Sequence, residues 1–153
     1  MLLWEPKSKF AQRVDMQTKT RTSSVYVIRC PNPPALKFGH SSRVLSRFST
    51  LQVASPVDLE LLGYQEFGDA GAVEEQIHLA LASFRLRGEW FKQNAVVLGV
   101  ARALLEEPRA AFLEKLRGMV EREMERRRLD AFSGYASCPI GQDKVDLHIV
   151  RKV

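Results

Sequence analysis

Apolar and polar positions along this chain change period several times, and each change marks an element. Residues 1–23 keep no sustained period and run into a wholly polar stretch, Thr18-Lys19-Thr20-Arg21-Thr22-Ser23-Ser24. A basic arm without a packed face is expected there. Ser24 to Cys30 is β-branched and aromatic, which predicts a strand. Pro31-Asn32-Pro33-Pro34 cannot continue it, and Ala35 to Gly39 predicts a short second strand, paired with the first as a hairpin. Ser41 or Ser42 can cap a helix whose Val44, Leu45, Phe48 and Leu51 recur at three- and four-residue spacing. Val57 to Phe67 predicts a third strand. Asp69 caps a helix expected to reach Arg85, with Val73, Ile77, Leu81 and Phe84 as its buried stripe. Gly88 ends that segment, and Trp90-Phe91 reads as core.

From Asn94 the pattern is helical. Val96 to Glu106 predicts one helix, and Pro108 opens a second at its favoured first position. Phe112, Leu116, Met119, Val120 and Met124 form its apolar side as far as about Leu129, and Gly134 is expected to break it. Lys144 to Val150 alternates and predicts a late strand. The whole reads as an α+β chain. A basic arm (1–23) precedes a three-stranded antiparallel sheet flanked by helices (24–94), and a helical extension and tail follow (95–153).

Composition narrows the class of function. The chain has 153 residues, 45% of them hydrophobic and 27% charged, which suits one globular domain. It holds no apolar stretch long enough for a transmembrane helix and no basic-then-apolar leader, so an intracellular, cytoplasmic protein is expected. Cys30 and Cys138 are too few for a disulfide scaffold and lack the close Cys or His pairs of a zinc site. The net charge of +5 favours a polyanion partner, since cationic side chains release counterions from phosphates. In the arm, five basic side chains stand against Glu5 and Asp15.

Five residues carry candidate chemistry: Tyr26, Lys37, His40, Arg47 and Glu74. Phosphodiester hydrolysis needs a base for the attacking water and stabilisation of charge on phosphorus and on the leaving oxygen. Glu74 is a hard oxygen ligand for magnesium or manganese, which acts as a Lewis acid. Arg47 is permanently charged and forks onto phosphate oxygens, and Arg43 lies one helical turn before it. Tyr26 can take the proton once acidified; its ordinary pKa is about 10, and the Lys37 ammonium is expected to lower it. His40 can tune or relay the same proton. Glu75 competes with Glu74 for the metal role, and His78, four residues on, reads as a half-buried histidine.

The segment from Ser24 to Asn94 resembles the GIY-YIG nuclease superfamily. It looks most like the branch of the bacteriophage T5-type DNA-binding domain and the meiotically up-regulated gene domains. Ser24-Val25-Tyr26 stands where that superfamily has G-I-Y, and Lys37-Phe38-Gly39 where it has Y-I-G. Arg47 follows Gly39 by eight residues. Glu74-Glu75-Gln76-Ile77-His78 is similar to the branch's E-x-x-[LI]-H helix, and Gly88-Glu89-Trp90-Phe91 to its closing G-E-W-F. The resemblance implies a general-base role for Tyr26, transition-state stabilisation by Arg47, and a single metal ion on Glu74. It also puts Lys37 in the second tyrosine's place, with His40 behind it, and makes Asn94 a candidate for the superfamily's late asparagine. The expected activity is metal-dependent endonuclease action on DNA, with RNA also open. Because the second tyrosine is replaced, a binding module without catalysis is the alternative. A structural protein that binds a partner, or a second copy, through the C-terminal helices is another.

Overall fold

The computed structural model describes residues 22–136; the expected arm up to residue 21, the strand over Lys144 to Val150 and Cys138 lie outside them, and Ser23, expected in the arm, opens the first strand. The elements are β1 (Ser23–Cys30), β2 (Ala35–Ser41), α1 (Val44–Val53), β3 (Glu60–Phe67) and α2 (Ala70–Ala80). A 3-10 turn (Ala82–Phe84), β4 (Arg85–Arg87), β5 (Trp90–Lys92), α3 (Ala95–Glu106) and α4 (Arg109–Ala136) follow. The class is α+β. The expected three strands prove to be five, in the order β3-β1-β2-β5-β4, with every paired neighbour antiparallel. β4 and β5 have three residues each, and Arg85-Leu86-Arg87 is exposed throughout, so neither carries an alternation that a sequence pattern can register.

Both faces of the sheet are covered, and alternation along β1 and β2 sorts the side chains. Val25, Val27, Leu36 and Phe38 join Phe67 and Phe91 under α2, α3 and the first half of α4, whose Ile77, Val100, Leu104, Phe112 and Leu116 close the main core. Tyr26, Ile28, Cys30 and Ala35 face the other way, onto Val44, Phe48 and Leu51 of α1 and the loop at Val57 and Leu59. Each large apolar side chain removed from water in this way contributes about 1.5–3 kcal/mol.

Side chains set the element boundaries. Asp69 accepts from the Ala72 amide at 3.0 Å and caps α2 as expected. α2 stops at Ala80 rather than Arg85; Leu81 buries its side chain at the C-cap, and the chain tightens into the 3-10 turn before β4. Arg43, not a serine, is the N-cap residue of α1, while Ser41 accepts from the Arg43 amide at 3.0 Å one step earlier. Leu45 points outward, 66% exposed. Gln52, near the end of α1, donates to the Val57 carbonyl at 3.0 Å and accepts from the Leu59 amide at 2.7 Å, fixing the loop that leads into β3. β3 begins at Glu60 because Gln52 and Ser55 hold residues 57–59 in that loop. α4 continues through Gly134, because a glycine weakens a helix by only about 1 kcal/mol and does not by itself end one. Among the described residues no helix is long and apolar enough to cross a membrane.

Candidate functional site at the short edge of the sheet

β5 pairs with β2 only as far as Lys37 and Trp90, so among the described residues the remainder of β2, from Phe38 to Ser41, has no strand on its outer side. The freed Phe38 carbonyl is taken by His78 Nε2 at 2.9 Å. A carbonyl only accepts, so His78 carries its proton on Nε2. Here α1 and α2 bring side chains to the hairpin from the two faces of the sheet.

Tyr26 is the centre of this arrangement. It is 2% exposed, and in register it stands opposite Gly39 of β2. Its ring lies across that glycine: a Cβ on residue 39 would sit 2.4 Å from the Tyr26 oxygen. The slot for the phenol exists because residue 39 has no side chain. Burial is the largest influence on the phenol and raises its pKa above the ordinary 10.0; a hydrogen bond and the charge of Arg47 oppose this, while Glu89 and Glu74 push it further up. The expected acidification of Tyr26 by Lys37 is therefore not what the structure shows. The cation bonded to the phenol is Arg47, the Lys37 ammonium is bonded to Glu89, and the net effect is upward.

Glu74 faces the sheet with its side chain 12% exposed, whereas Glu75 points to solvent. Its Oε2 accepts from Nδ1 of His40, and its Oε1 lies 3.8 Å from Nε2 of His78. A carboxylate only accepts, so His40 donates from Nδ1 and turns its Nε2 away from Glu74. Lys37 is 6% exposed and bonds Glu89, a residue that motif spacing leaves without a chemical role. Burial pushes the Glu89 carboxyl up, but the hydrogen bond and charge of Lys37, with the charges of His78 and Arg47, outweigh it and leave the pKa lowered.

The contacts fall into two groups, Tyr26 with Arg47 and Lys37 with Glu89 on the α1 face of the sheet, and His40 and His78 with Glu74 on the α2 side. The charge of Glu74 reaches Tyr26 across them, and that of His78 reaches Glu89. Arg43 caps α1 one turn from Arg47, with both arginines exposed. Asn94 works as a helix cap, since its side chain accepts from the Val97 amide at 2.9 Å at the start of α3. Trp90 is half-buried and Phe91 fully buried, as expected of core residues. Among the described residues no three His, Cys, Asp or Glu side chains are grouped to hold a metal. Glu74 is the carboxylate here, and the ring nitrogens of His40 and His78 that face it are engaged as hydrogen-bond donors. A lone carboxylate suits a hard ion which keeps most of its water.

No curated protein and no solved structure matches the chain. A family model described as the T5orf172 domain matches residues 23–107, which takes in β1 through α3 and every residue of the site. That family is associated with GIY-YIG-like, nuclease-type domains. On a match spanning more than half of its length, the chain belongs to the T5orf172 domain family.

Proposed function

We propose that this protein is a metal-dependent endonuclease that hydrolyses phosphodiester bonds of DNA. One observation carries the reading: Arg47 from α1 hydrogen-bonds the phenol of Tyr26 from β1, and the charges of Arg47 and of Glu74 from α2 both act on it. Tyr26 serves as the general base. Its phenolate takes a proton from water as the water oxygen bonds to phosphorus and the phosphorus–oxygen bond to the leaving group breaks. Arg47 binds the non-bridging oxygens, where negative charge grows, and by holding the phenol it also orients the base. Glu74 fits a magnesium or manganese ion, which when bound supplies Lewis-acid stabilisation of the phosphate and of the leaving oxygen. His40, held by Glu74 through Nδ1, presents its Nε2 as a proton relay. Arg43 extends the cationic face of α1 along the phosphate backbone.

Supercoiled plasmid incubated with magnesium, manganese or a chelator tests this, beside Glu74→Ala and Tyr26→Phe. Metal-dependent nicking or linearisation that both variants lose is the expected result. Cutting that survives Glu74→Ala sinks the assignment of that residue. A folded chain that binds DNA and never cuts it leaves the binding-module reading. One observation favours that second reading: the place of the second tyrosine holds a lysine whose ammonium is already engaged by Glu89.

A further inference from the structure

The roles above leave the Lys37–Glu89 ion pair unused. The Lys37 side chain is 8% exposed and that of Glu89 is 42% exposed. An ammonium so far from water is unfavourable unless an anion faces it. The pairing is built by the chain reversal between β4 and β5. Gly88 takes φ +55, a left-handed conformation that glycine adopts without strain, and the register Lys37↔Trp90 then sets the residue before Trp90 beside Lys37. The ammonium also stands 5.9 Å from the centre of the Trp90 ring. Lys37 shares its face of β2 with Gly39, across which Tyr26 lies, and its cross-strand partner Ile28 packs in the same cluster as Tyr26. Arg47, on the helix over that face, acts on both Tyr26 and Glu89.

We propose that Glu89 is a positioning residue: it holds the Lys37 ammonium fixed on the Tyr26 face of the sheet, as a second cation for a DNA phosphate beside Arg47. The inference rests on the nucleic-acid part of the proposed function and not on cleavage. It makes a prediction of unusual sign. Simple electrostatics says that deleting a carboxylate from a DNA-binding surface tightens binding. If Glu89 holds Lys37 in place, deletion loosens it.

The test is the dissociation constant of the full chain for a short DNA duplex, in chelator so that nothing is cut, across a range of salt. Glu89→Ala, Glu89→Gln, Lys37→Met and the Lys37→Met/Glu89→Ala pair are compared with the native chain, and thermal melting confirms folding. Glu89→Ala is expected to weaken binding about 10-fold, near the loss in Lys37→Met, the size of one charge-assisted contact. Its salt slope should fall by about 0.9, one phosphate contact. With methionine at position 37, removing Glu89 should weaken binding no further. Glu89→Gln should give a smaller loss of the same sign, and it decides the matter if the alanine variant fails to fold. Tighter binding in Glu89→Ala, or an equal loss in both backgrounds, overturns the inference and leaves the nuclease reading standing. A native chain that binds duplex and never cuts it overturns the nuclease reading and leaves this inference standing. A native chain that binds no duplex overturns both.

Discussion

At the scale of single residues, the site depends on a missing atom as much as on charged groups. Gly39 has no chemistry of its own, yet a methyl group there would lie 2.4 Å from the Tyr26 oxygen, closer than atoms tolerate. Gly39→Ala is expected to evict the phenol, cost about 1–3 kcal/mol as an overpacked core does, and abolish cleavage as fully as Tyr26→Phe. Urea unfolding and plasmid nicking read the two effects. A variant with native stability and native cutting would show that Tyr26 has another slot. The raised pKa of Tyr26 has a second consequence. The unfolded chain releases this proton near the ordinary 10.0, whereas the folded chain holds it to higher pH. The associated stability is complete below pH 10 and is lost as pH rises beyond it. Urea unfolding between pH 8 and pH 11 should therefore show native protein losing stability more steeply than Tyr26→Phe. The cleavage rate, for the same reason, should climb with pH through the neutral range and beyond.

At the scale of elements, α4 is latched at its middle. Glu123, 8% exposed, accepts from Arg126 and Arg127 one turn on, and Ser83 of the 3-10 turn joins through Arg126 at 3.0 Å. The Arg126 hydrogen bond is the main reason that the Glu123 pKa is lowered from 4.5 to about 2, against its burial. A lowered carboxylate stabilises the fold above its unfolded pKa, so this contribution is present above pH 4.5 and is lost as pH falls toward 2. Native protein should lose stability through that window in urea titrations, and Glu123→Gln should show a flatter dependence there from a lower starting point. The Glu123 pairs with Arg126 and Arg127 follow local helical spacing, but no sequence pattern announces their tie to Ser83, which meets α4 only through tertiary packing. The same holds for Glu89, whose partner is set by the β2–β5 register. Where information is local, the chain is legible: β1 and β2 show in their β-branched runs, α2 in its Asp69 cap, and Tyr26, Lys37, Arg47 and Glu74 in motif spacing. The end of α2 is not legible in this way, since Leu81 to Arg85 keeps helical spacing while the backbone has already turned toward β4.

At the scale of the whole molecule, the helices after Asn94 share one core with the sheet. Phe112 of α4 packs on Phe67 of β3 with ring centres 6.1 Å apart, and Val97, Val100 and Leu104 of α3 are all buried. A 1–94 fragment would expose Val25, Val27, Phe38 and Ile77 along that face. It is expected to lack a cooperative melting transition and to cut no plasmid; a folded, active 1–94 fragment would show that the helices are an accessory. The family match ends at residue 107, two residues before α4 begins. The length of α4, about 42 Å at 1.5 Å per residue, therefore divides into two parts with different tolerances. Its first turns finish the domain, while Met124, Leu129 and Phe132 beyond them are exposed. A chimaera spliced at residue 107 would graft an unsealed domain onto its host. One spliced past Arg127 would carry the core and its latch intact, and would offer a rigid rod as the natural point of fusion.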